Sequence, residues 1–179
     1  MPDVRALSFN RPSAATVHPS LAQHTAQPTQ MESLADAVVR LNATASQSEA
    51  VDTIFEIAIS LIGAGEVALY TVEWKLAMLR LIGSRDIGAH VLVKMGAGRI
   101  GEAALTGKEY VVDTEVAPPG QATDDRLTLC IPLIHNDTPA FVLAVYGLLP
   151  QKRHLQKGDL AVVRFLKERS APALLRFQE

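Results

Sequence analysis

A chain of 179 residues with 48% hydrophobic content is long enough to bury a core and too apolar to stay disordered. Its net charge of −2 and pI near 6.2 leave no basic footprint for nucleic acid, and Glu, Lys or Arg interrupt every apolar run within about ten residues, short of the roughly twenty a membrane-spanning helix needs. The single cysteine, Cys130, excludes an intramolecular disulfide, the five histidines are scattered, and no signal-peptide pattern is present, so a cytoplasmic protein without metal or other cofactor is expected.

Residues 1–30 are rich in Pro, Ser, Ala, Thr and Gln and lack any helical or strand period. They are expected to form a flexible tail, with the folded domain over 31–179. Leu34, Val38, Leu41 and Ala45 then recur at helical spacing with Glu32, Asp36 and Arg40 between them, which predicts an amphipathic helix from Met31 to Ala45. Ser46 and Glu49 have the spacing of a capping box, and a second helix follows with Val51, Ile54, Phe55, Ala58, Leu61 and Ile62 on a wide apolar surface. Gly63 and Gly65 are placed to stop it.

Glu66 to Val72 and Leu76 to Ile82 read as a hairpin, with Trp74 near its tip, and His90 to Met95 as a third strand. Next comes a glycine-rich run from Met95 to Lys108. Gly96, Gly98 and Gly101 serve turn geometry, Ile100 to Thr106 forms a short helix, and Gly107 ends it. The letters Gly96-Ala-Gly98-Arg-Ile-Gly101 also spell the dinucleotide fingerprint. That reading fails on context, because the helix is too short to cross a sheet and the strands downstream form an antiparallel hairpin.

Tyr110 to Val112 supplies a fourth strand, and Asp113 is placed to stabilise the loop that Pro118-Pro119-Gly120 turns. The block Arg126 to Ile134, the turn Asn136-Asp137-Thr138 and the run Ala140 to Tyr146 make a final hairpin. A helical pattern from about Gln156 to Phe177 closes the chain, with Pro172 expected to kink or restart it. The prediction is an α+β fold: a mainly antiparallel sheet of about six strands bracketed by helices.

This order of elements, together with Gly96, Gly98, Gly101, Thr106, Gly107, Asp113, Pro132 and Leu133, resembles a GAF domain, the small sensory module of signalling proteins. The resemblance implies terminal helices on one sheet face, with loops and a short helix closing a pocket over the other. Phe141 falls where the family commonly has a glycine. The chain has no Asn-Lys pair of the cyclic-nucleotide type, and Cys130 lies within a strand rather than in the helical region to which bilins attach. The resemblance implies a regulatory or sensory protein that binds another signalling protein, a small molecule, or both.

Alternation along the last hairpin puts Thr128 and Cys130 on one face of their strand, and Leu127, Leu129 and Ile131 on the other. If the helices cover the apolar face, Thr128 and Cys130 point to the pocket side; the other reading is that both are small core residues. Arg99 and Arg126 are candidates for holding an anion with their planar forks, against an ordinary solvated role, and Tyr70 is a further candidate ligand contact. Lys152, Arg153, His154 and Lys157 form a basic cluster. The alternative function is a thiol redox enzyme or sensor on Cys130, related to the GAF-type free methionine sulfoxide reductases. The stripe Leu34, Val38, Leu41 is expected to pair two copies into a homodimer.

Overall fold

A computed structural model describes residues 29–112 and 122–178. The expected tail lies outside them except for its last two residues, which begin the fold. Thr29 caps α1 (Gln30–Ala43) through a complete capping box: its hydroxyl takes the Glu32 N–H, and the Glu32 carboxylate takes the Thr29 N–H. Those hydrogen bonds from Thr29 also hold the Glu32 carboxyl below its usual range. The box expected at Ser46 is half formed. Ser46 accepts from Glu49 at the start of α2 (Gln47–Ile57), but Glu49 reaches back to the Ala45 N–H instead of closing on Ser46.

A π-helical segment, Ala58–Ile62, extends α2 and stops at Gly63, whose backbone is left-handed. Gly65 does not stop the helix; it lies within β1 (Ala64–Glu73). A 3-10 turn, Trp74–Leu76, leads to β2 (Met78–Arg85), and β3 (Leu92–Lys94), α3 (Gly98–Thr106) and β4 (Tyr110–Val111) follow. A second 3-10 turn, Asp124–Arg126, precedes β5 (Leu129–His135) and β6 (Thr138–Leu148). Asn136 and Asp137, both at positive φ, form the two-residue loop between them. The last helix, α4 (Asp159–Leu175), is continuous through Pro172, so the proline does not restart it.

The six strands form one antiparallel sheet in the order β3-β2-β1-β6-β5-β4. Pro132 stands opposite Val142 and past the two residues of β5 that pair with β4, a position where a strand tolerates a residue without an N–H. Alternation along the strands divides the core in two. Val67 and Leu69, Leu129, Ile131 and Leu133, and Phe141, Leu143 and Val145 face α1, α2 and α4. Phe141 therefore packs beneath the helices and does not fill a pocket on the other face.

Leu41 is buried in this helix-side core and Leu34 is half-buried against it, so of the stripe expected at a dimer interface only Val38 is exposed. Arg176 ties the two end helices together: its guanidinium donates to the carbonyls of Leu41 and Asn42 and to the Thr44 hydroxyl, which satisfies the last turn of α1. No helix among the described residues is long and apolar enough to cross a membrane.

Candidate functional site

The opposite sheet face is covered by α3. Ala68 and Tyr70 of β1, Cys130 of β5, and Val142, Ala144 and Tyr146 of β6 meet Ile100, Ala103 and Ala104 of the helix. Leu127 joins this group too. It precedes the regular part of β5, so it does not share the helix-side face with Leu129 and Ile131 as alternation had placed it.

The fold thus brings together two of the predicted site residues, Tyr70 and Cys130, and adds Tyr146. All three are buried. Among the described residues the Tyr70 hydroxyl has no hydrogen-bond partner of normal geometry, although the Tyr146 phenol lies near enough to act on it. Burial pushes both phenols above their ordinary pKa. It also pushes the Cys130 thiol up, and the Asp124 charge adds to the shift. A thiol is nucleophilic as its thiolate, so this setting makes Cys130 a poor nucleophile.

Asp124 organises the mouth of this face. The N-cap of α3, Ala97, has no side chain to offer, and Asp124 substitutes for it by accepting the Arg99 N–H at 3.1 Å. Gly98 is left-handed, and a Cβ on it would collide with the Asp124 carboxylate. Gly101 meets a different constraint: its missing Cβ makes room for the Lys94 carbonyl and the Gly96 amide. Gly96 and Gly107 are both left-handed.

Neither predicted anion-binding arginine has an idle guanidinium. Arg99 stacks over the Tyr110 ring, 4.0 Å from its centroid, and Arg126 is buried against the Glu66 carboxylate. Thr128 is buried between strands, with its N–H on the Val145 carbonyl and its own carbonyl accepting from Val112. In the basic cluster, Lys152 turns inward to the Ile62 carbonyl and Asp159, leaving Arg153, His154 and Lys157 exposed. Asp113 lies outside the described residues. Among those residues no three His, Cys, Asp or Glu side chains gather as a metal would require.

Sequence reasoning missed Asp124 and Tyr146. Tyr146 was within reach, because it follows Val142 and Ala144 at period two on the face that Cys130 shares. Nothing in the sequence marks Asp124, since its bond to Arg99 spans 25 positions.

No protein-family model and no curated protein matches the sequence. Solved structures do match the fold. The GAF domain of a phosphoenolpyruvate-protein phosphotransferase from Acinetobacter superposes with a TM-score of 0.65 at 14% identity, over 84% of this chain and 95% of that one. The corresponding domain from Coxiella burnetii gives 0.64 at 15% identity, over 82% and 93%. A free methionine-R-sulfoxide reductase from Neisseria meningitidis, solved with its substrate, gives 0.59 at 19% identity, over 97% and 99%. At these identities the likeness speaks for architecture, and that architecture, a six-stranded antiparallel sheet with terminal helices on one face and a short helix on the other, is that of a GAF-like domain.

Proposed function

We propose that this chain is a regulatory module that acts through contacts with other proteins, self-association included, rather than by catalysis. The observation that carries the reading is the packing of the sheet face under α3, where Tyr70, Cys130 and Tyr146 are buried against the helix. A face filled by its own side chains has little to offer a small ligand, whereas apolar side chains remain exposed on α1 and at the hairpin ends. The GAF domain of a phosphotransferase and a segment of a methyl-accepting chemotaxis protein among the structural neighbours agree with a regulatory role.

A second reading, thiol redox chemistry on Cys130, draws on the methionine sulfoxide reductase whose fold spans nearly the whole of both chains. Against it stand the burial and raised pKa of the one thiol and the lack of a second cysteine to resolve a sulfenic acid.

Native mass spectrometry and thiol titration of the purified protein separate the readings. The expected result is no retained small molecule, and a Cys130 that reacts with a disulfide reagent only after denaturation. A stoichiometric bound metabolite, or free methionine sulfoxide reduction that is lost in Cys130→Ser, would overturn the proposal.

A further inference from the structure

Three of the largest exposed apolar side chains stand around one end of the sheet: Trp74 (44% exposed), Leu76 (68%) and Leu105 (55%). Hydrogen bonds and close approaches of the chain bring the segments that carry them to the same end. The Trp74 indole N–H donates to the Pro139 carbonyl at 2.9 Å, and a Cβ on Gly107 would lie 3.6 Å from the Pro139 ring. Leu105, two residues before Gly107, reaches to 3.5 Å from a Cβ on Gly96. The neighbouring Met95 N–H donates to the Ala77 carbonyl, and the Ala77 N–H returns to Trp74.

Ala77 closes the 3-10 turn at φ +51°, a left-handed conformation that is costly for a residue with a Cβ. The rim is basic: Lys75, Lys94 and Lys108 are exposed, and none forms an ion pair among the described residues. Against them stand Asp137 in the β5–β6 turn and Glu102 on α3. Glu73 and Glu109 are already held by Arg80 and Lys167.

We propose that this end of the sheet docks an acidic segment of a partner protein that presents apolar side chains between its carboxylates. The proposal rests on the reading of the chain as a protein-binding module and names the surface. Lysines around an apolar centre match such a segment in charge and in apolar contact, and an exposed indole is a typical anchor of protein interfaces. An anionic membrane would also suit lysines and tryptophan. The indole N–H, however, is turned inward onto Pro139, so Trp74 lacks the polar tip that an interfacial tryptophan offers to headgroups.

Trp74 is the only tryptophan, so its emission reports directly on this surface. The full chain is used to select binders from a random peptide library, and the enriched peptides are measured by Trp74 fluorescence and by anisotropy of the labelled peptide. The expected peptides combine Asp or Glu with aromatic or aliphatic residues and shift Trp74 emission to the blue. They bind the Leu76→Glu, Leu105→Glu double variant at least about tenfold more weakly, and bind Leu160→Glu, an exposed position on α4, as they bind the wild type. Both leucines are exposed, and an unchanged melting temperature verifies that the double variant is folded.

Enriched peptides that lack the acidic bias, or that ignore the double variant, overturn this surface and leave the protein-binding reading standing. A blue shift only with vesicles containing phosphatidylserine, with no peptide enriched, overturns it in favour of a membrane. Silence with both probes overturns the surface and counts against the protein-binding reading as well.

Discussion

The Asp124 carboxylate accepts the backbone N–H of Arg99 and so caps a helix that begins 26 positions earlier, at Gly98. It does so because Ala97 cannot, and because Gly98 leaves the space. Asp124→Ala should therefore lower stability by about 0.5–2 kcal/mol, the usual cost of a lost cap, and Asp124→Asn by less. Gly98→Ala should cost more than a simple left-handed glycine replacement, since the new methyl meets the carboxylate as well as an unfavourable φ. Urea unfolding of the three variants checks the order.

Gly101 and Gly96 separate two reasons for a glycine. Gly101 is constrained by the Lys94 carbonyl, an unyielding backbone neighbour, whereas Gly96 is constrained by a φ of +79° with only the Leu105 side chain nearby. Gly101→Ala is expected to destabilise by roughly 1–3 kcal/mol and to displace the turn before α3, while Gly96→Ala costs about 1 kcal/mol. Equal effects in thermal unfolding would mean that the close approach at Gly101 relaxes without cost.

Alkaline pH should weaken the fold. Cys130, Tyr70 and Tyr146 have folded-state pKa values raised above their ordinary 9.0 and 10.0, mainly by burial. Each keeps its proton in the folded chain at a pH where the unfolded chain has released it. Their contribution is thus complete below about pH 9 and declines above it, by up to about 1.4 kcal/mol per pH unit for each proton. Cys130→Ala should flatten the stability profile between about pH 9 and 10 and leave the steeper phenol-dependent fall above it. A profile identical to the wild type would mean that the thiol ionises in the folded state.

The legible and illegible parts of the fold differ in the range of the interactions that decide them. Period two assigned Cys130 to the α3 side because β5 is regular from Leu129 onward; it misplaced Leu127 because the strand had not yet begun. The Thr29–Glu32 capping box was hidden by the tail composition that precedes it, although its spacing is local. Leu41 shares a helical stripe with Val38, and spacing alone cannot say that the stripe turns from its own core to solvent between them. The pairing of Arg126 with Glu66 and the stacking of Arg99 on Tyr110 depend on strands meeting in space, which no motif announces.

Self-association through α1 is the remaining part of the proposed function. Met31, Val38 and Val39 are exposed apolar residues on this helix, and Val38 borders a groove of about 170 Å³ that Leu41, Glu168, Arg169, Pro172 and Arg176 also line. Pro172 has no N–H to give the Glu168 carbonyl one turn before it. A second copy would cover the exposed valines, and the acidic and basic neighbours Glu168 and Arg169 suit a two-fold contact. Val38→Glu together with Val39→Glu should give a folded monomer, because neither side chain is in the core. Leu41→Glu should instead unfold the chain, since Leu41 is only 2% exposed. Sedimentation at tens of micromolar decides it: a monomeric wild type removes the dimer, and a dimer that survives the valine pair moves the interface off α1.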